Sequence, residues 1–184
     1  MMSIIVLAAH GAPPSDFPHP ELSEFFKLHA QLESSHHAQG NGNALAIQDR
    51  YAVLETKLRS WPRNDKNDPF FASSVALGRE LERQSGMQVL VGFNEYCAPS
   101  LEDSLAWAAK SGADRVIVIT PMLTAGGAHA AVDIPVTIKT VQTKNPDVEF
   151  IYAWPFEREE VASFLAQQVQ KYEEPSLMRA ALVG

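Results

Sequence analysis

The chain is poor in cysteine, in basic runs and in long apolar runs. It has one cysteine in 184 residues, Cys97, so no disulfide can form within it. That usage fits a reducing, cytoplasmic setting. Fifteen Lys and Arg stand against 22 Asp and Glu, a formal charge of −7, and no Lys/Arg cluster offsets it. A general nucleic-acid binder is thereby disfavoured. The apolar N-terminal run, MMSIIVLAA, has no basic residues before it and breaks at His10-Gly11-Ala12-Pro13. It is too short for a membrane span and lacks the layout of a signal peptide. No Walker-type phosphate loop is present, so neither ATP nor another organic cofactor is expected.

What is present is an alternation. Four short runs rich in Val and Ile, at residues 3–9, 88–94, 115–120 and 149–153, read as parallel strands covered on both faces. Helical patterns follow at 69–83, 100–111, 133–144 and 157–172. The first of these carries Phe70, Val75, Leu77 and Leu81 at helical spacing. The second opens on Ser100-x-x-Asp103, a cap signature, and stops at Gly112. Strand-helix repetition predicts an α/β fold of flavodoxin-like type, with a four-stranded parallel sheet flanked by helices in a single domain, residues 1–184.

Residues 20–68 interrupt this rhythm after the first strand. Helices are expected at 21–32 and 44–58, separated by the polar, Gly-containing SSHHAQGNGN. The segment reads as a helical excursion without a core of its own. It is expected to form either a helical lid, with QGNGN as hinge or mobile tip, or a surface decoration that serves as a dimer contact.

Ligands of parallel α/β sheets gather at the carboxyl ends of the strands. Three chemistry-bearing residues fall there: His10 after the first strand, Glu95 after the second and His129 in the loop after the third. Two imidazoles and a carboxylate suit Co²⁺, Fe²⁺, Ni²⁺ or Zn²⁺. The residues alone leave two readings open, a metal site or an acid/base site. Gly126 and Gly127 let backbone approach a ligand. Asp133, before Ile134-Pro135, is either the N-cap of the next helix or the residue that orients a histidine. His36-His37 is a weaker metal candidate, Cys97 reads as a buried thiol, and Trp61 as packing or a stacking surface.

The ordered set His10-Gly11, Phe93-x-Glu95 with Pro99-Ser100-Leu101, and His129-x-x-x-Asp133-Ile134-Pro135 resembles the class II tetrapyrrole chelatases of CbiX type. The likeness spans residues 3–12 and about 88–170. It implies a lyase-type chelatase of cobalamin or siroheme biosynthesis, acting as a homodimer. Its substrates would be a sirohydrochlorin-like tetrapyrrole and Co²⁺, Fe²⁺ or Ni²⁺. The resemblance assigns metal binding and catalysis to His10, Glu95 and His129, substrate contacts to Gly11, Gly126, Gly127 and Ala128, and a supporting role to Asp133. Such chelatases often read His-Gly-Ser-Arg where this chain has Ala12-Pro13, and carry an acidic residue where it has Ala98. A carboxylate-rich ring would need local cations, for which Arg50, Lys57, Arg59 and Arg63 are the candidates. The alternatives are a non-catalytic tetrapyrrole or metal carrier of the same fold, and a flavodoxin-like module without metal.

Overall fold

The computed structural model describes residues 2–35 and 43–173. His36, His37 and the expected hinge at QGNG lie outside them. The chain runs β1 (Ser3–Ala9), α1 (His19–Ser35), α2 (Asn43–Arg59), α3 (Pro69–Ser85), β2 (Val89–Phe93) and α4 (Leu101–Lys110). It continues with β3 (Arg115–Ile119), a π-helical turn (His129–Asp133), α5 (Ile134–Lys144), β4 (Glu149–Tyr152) and α6 (Arg158–Glu173).

The four strands form one parallel sheet in the order β2-β1-β3-β4. Ile5 is paired with Val89 on one side and with Ile117 on the other. The main core lies on the α4/α5 face. There Ile4, Val6, Ala8, Val116 and Val118 meet Leu101, Leu105, Ile134, Ile138 and Val141. Burying such aliphatic side chains stabilises by about 1.5–3 kcal/mol each, so this cluster is the main apolar driving force of the fold. Caps fix where the helices begin. Ser100 Oγ accepts from the Asp103 N–H at 3.0 Å, and Asp68 Oδ1 accepts from the Phe71 N–H at 2.8 Å.

Three expectations need correction. First, α3 turns Ser74 and Gly78 to the sheet, not the Phe70/Leu77 face; those two are 41% and 45% exposed. A Cβ on Gly78 would lie 2.6 Å from Val91 Cγ2, so the close approach of helix to strand selects small residues. Second, β3 and β4 are covered on one face only: Ile117 and Ile119 are half-buried and Ile151 is exposed. Third, the excursion does have a buried cluster, Phe25, Leu54 and Leu58, completed by Phe17 from the preceding loop. Tyr96, next to Glu95, packs against it and joins it to the sheet.

Candidate metal centre

Each of the three rim residues is delivered by the carboxyl end of a different strand. His10 follows β1 directly. The Asn94 N–H donates to the Ala9 carbonyl and the Glu95 N–H to the His10 carbonyl, both at 2.9 Å, so the β1 and β2 ends stay zipped beyond the sheet. Gly11 makes that approach possible. Its φ is 104°, and a Cβ there would fall 2.0 Å from the Glu95 carbonyl oxygen. Gly11 thus has a structural reason in addition to any contact with a ligand.

His129 opens the π-helical turn, in which the Ile134 N–H reaches back to the His129 carbonyl. Such turns inside helices recur at functional sites. Asp133 makes no side-chain cap bond, which corrects its N-cap reading. Its Oδ2 instead lies 2.7 Å from His129 Nδ1. A carboxylate can only accept, so Nδ1 carries the proton and Nε2 keeps its lone pair. His10 obeys the same rule: Nδ1 lies 2.7 Å from the Gly11 carbonyl, so in the neutral ring the proton sits on Nδ1 and the lone pair on Nε2.

The ligand atoms of His10, Glu95 and His129 lie within 4.8 Å of one another. His10 Nε2 is 3.7 Å from Glu95 Oε2, and the two imidazoles stand edge to face with centroids 4.4 Å apart. All three are partly exposed, with side-chain exposures of 39%, 32% and 30% for His10, Glu95 and His129. A hydrated ion therefore has access. Two neutral imidazoles and one carboxylate provide three donors and leave coordination positions for water or a second ligand. Among the described residues this is the one such cluster of His, Cys, Asp and Glu.

Gly126 (φ 94°), Gly127 and Ala128 are exposed in the loop before His129, and a Cβ on either glycine would meet nothing within 4 Å. A cleft of about 510 Å³ adjoins the triad, bordered by Glu95, Asp133, Ser100, Asn94 and Arg59. A more apolar groove of about 520 Å³, along β2 between α3 and α4, contains none of the triad. Burial, with Glu95 adding to it, pushes the Tyr96 phenol up to about 12.

The proposed substrate cations divide sharply. Arg50 pairs with Glu24 at 2.7 Å and Lys57 with Glu21 at 2.6 Å. Arg63 is inside the protein, its side chain 3% exposed, and cannot face a substrate. Of the four, Arg59 alone borders the cleft. Trp61 is committed to packing: its ring meets Phe17 and its Nε1 donates to Asp16 at 2.9 Å. Cys97 is fully buried, and burial pushes its thiol up. Sequence reasoning missed the structural roles of Arg59, Arg63 and Asp68. The carbonyls that Arg59 and Arg63 hold at Asn94, Cys97, Tyr96 and Ala12 lie tens of residues away, whereas Asp68, directly before Pro69, stands where a local pattern marks a helix cap.

A parallel α/β sheet with histidine and carboxylate donors gathered at its carboxyl edge defines a class, the α/β proteins with a candidate metal centre. The chain belongs to the CbiX family, whose model matches residues 68–172. His10 lies outside that match. Over 82 residues the chain is 32% identical to a sirohydrochlorin ferrochelatase from Priestia megaterium, covering 44% of this chain and 30% of that one. Over 47 residues it is 43% identical to a sirohydrochlorin cobaltochelatase from Methanopyrus kandleri, covering 26% and 32%. Similar solved structures include the sirohydrochlorin chelatase SirB from Bacillus subtilis subspecies spizizenii in complex with cobalt. It is 17% identical, with a TM-score of 0.46 over 93% of this chain and 51% of that one. SirB from Bacillus subtilis with Fe³⁺ is 18% identical, with a TM-score of 0.47 over 95% and 49%. The matched region is thus about a third of the curated relatives' length.

Proposed function

We propose that this chain is a lyase-type chelatase that inserts Co²⁺, Fe²⁺ or Ni²⁺ into a sirohydrochlorin-like tetrapyrrole. The metal and the ring are its substrates, and no organic cofactor takes part. The observation that carries this reading is the triad itself: His10, Glu95 and His129, with donor atoms within 4.8 Å and both imidazoles oriented to offer Nε2. The relatives' names support the tetrapyrrole.

Insertion requires that water leave the ion and that two pyrrole N–H protons leave the ring. Glu95 offsets part of the dication's charge, while His10 and His129 replace its water ligands. As the ring nitrogens take over the ion, each vacated imidazole Nε2 accepts a proton. Asp133 stabilises the imidazolium that forms at His129. The exposed backbone of Gly126, Gly127 and Ala128 offers the ring an approach without side-chain obstruction. Arg59 borders the adjoining cleft, where it is paired with Glu55 at 3.1 Å.

A homodimer completes the cleft. α6 supports this: Phe164, Leu165, Val169 and Tyr172 are 51–80% exposed and form an apolar stripe. The buried, free Cys97 agrees with a reducing cytoplasm. No described helix is long and apolar enough to cross a membrane.

The test is anaerobic mixing of protein and sirohydrochlorin with each metal in turn, followed by absorption spectroscopy. Catalytic turnover is the expected outcome. Stoichiometric binding without turnover would make the protein a carrier, and no binding would end the tetrapyrrole reading.

A further inference from the structure

The excursion grips the backbone on both sides of Glu95. Arg59, the last residue of α2, donates from Nη2 to the Asn94 carbonyl at 3.3 Å and from Nη1 to the Cys97 carbonyl at 3.0 Å. Arg63, in the following loop, donates from Nη2 to the Tyr96 carbonyl at 2.5 Å and to the Leu58 carbonyl at 3.1 Å. Its Nη1 reaches the Ala12 carbonyl at 2.7 Å and the Asp68 carboxylate. Asp68 is itself 1% exposed at the side chain and caps α3 through the Phe71 N–H.

One planar guanidinium therefore touches the residue after Glu95 and the second residue after His10. We propose that Arg63, with Arg59 beside it, is a positioning residue that sets the separation of the two metal-ligand loops. The excursion is thereby a clamp on the metal site. The inference rests on reading His10, Glu95 and His129 as that site.

The chemistry favours arginine for this task. A guanidinium has five N–H donors in a rigid fork, so bonds to Ala12 and Tyr96 fix one loop against the other. An ammonium is a single point on a flexible stem and cannot hold that many acceptors in one plane. Burial sharpens the requirement, because a carbonyl that loses its donor there has no water to replace it. The positioned quantity is the 3.7 Å between His10 Nε2 and Glu95 Oε2. Metal affinity depends on that spacing, since ligands must meet one ion at about 2.0–2.2 Å each.

The experiment is anaerobic titration of the whole chain with Co²⁺ alone, read by its visible absorption band, alongside circular dichroism and melting of the metal-free protein. Arg63→Lys keeps the charge opposite Asp68. Should it not fold, Arg63→Met with Asp68→Asn removes both buried charges and keeps an acceptor for the Phe71 N–H. Leu105→Ala, a change in the main core outside the Arg63 network, controls for lost stability. The expected result is a folded Arg63 variant whose Co²⁺ affinity falls at least tenfold and whose band weakens as a protein ligand is lost. The Leu105 variant melts lower yet keeps the parent affinity and spectrum. A folded Arg63 variant with parent affinity and spectrum would overturn the clamp and leave the metal site standing. A parent that binds no Co²⁺ would overturn the metal site, and the clamp with it.

Discussion

A Cβ on Gly11 would sit 2.0 Å from the carbonyl oxygen of Glu95. The two loops that present His10 and Glu95 are in backbone contact at a point where only glycine fits. Gly11→Ala must both adopt φ near 104° and push the Glu95 loop away. Left-handed backbone costs a non-glycine residue roughly 1–3 kcal/mol, and the clash adds to it. The melting temperature should fall by at least a few degrees, and Co²⁺ binding should be lost. Gly126→Ala is the comparison. Its φ is 94°, but a Cβ there meets open space, so it should soften the loop and spare metal affinity. Equal effects of the two variants on Co²⁺ titration would contradict the loop-contact argument.

His129 and Asp133 should separate into ligand and orienter. His129→Ala removes a donor from an exposed turn and is expected to abolish insertion with an unchanged circular dichroism spectrum. Asp133→Ala leaves the imidazole in place but removes the acceptor on Nδ1. Loss of such a partner commonly lowers metal affinity by about 10–100-fold. Isothermal titration with Co²⁺ checks both, and an Asp133 variant with parent affinity would restrict that residue to holding the π-helical turn.

Cys97 reports on the same loops. Its Sγ lies 3.7 Å from the Ala12 carbonyl, within the Arg63–Asp68 network. Burial holds the thiol above its ordinary range, so little thiolate exists near pH 8. A disulfide reagent at that pH should leave the native protein almost untouched and titrate one thiol per chain in denaturant. With Arg63→Lys the native reaction should accelerate, because loosened loops admit the reagent. Rapid reaction of the parent would show that the loops are already open.

The sheet was legible because its information is local. A run such as Arg115–Ile119 is apolar whatever surrounds it, and no observed strand end differs from the expected one by more than a single residue. The three rim residues were legible because a parallel sheet dictates which strand ends share an edge. The face of α3 was not. Gly78 and Ser74 turn inward for closeness to β2, a reason that resides in β2. Arg63 reads as a substrate cation in sequence because its burial depends on three carbonyls and a carboxylate spread from Ala12 to Tyr96. The residue pattern leaves Asp133 open between cap and orienter; in the π-helical turn, which that pattern does not announce, its carboxylate meets His129 Nδ1 and caps no helix.

The dimer prediction rests on α6. Leu165, Val169 and Tyr172 recur at four- and three-residue intervals, a single face of the helix, with Phe164 beside them. On the sheet, Ile117 and Ile119 are only half-buried and Ile151 is exposed. Each such side chain gains about 1.5–3 kcal/mol on full burial, so joining the two surfaces of two copies is favourable. Light scattering at micromolar concentration should give twice 20.2 kDa for the parent. Leu165→Glu with Val169→Glu places charges in the stripe and should yield the monomer with helicity retained. Co²⁺ binding per chain should persist, since His10, Glu95 and His129 come from one copy, while tetrapyrrole affinity should drop with the loss of the second wall. A monomeric parent, or a double variant that remains dimeric, would place the interface elsewhere or remove it.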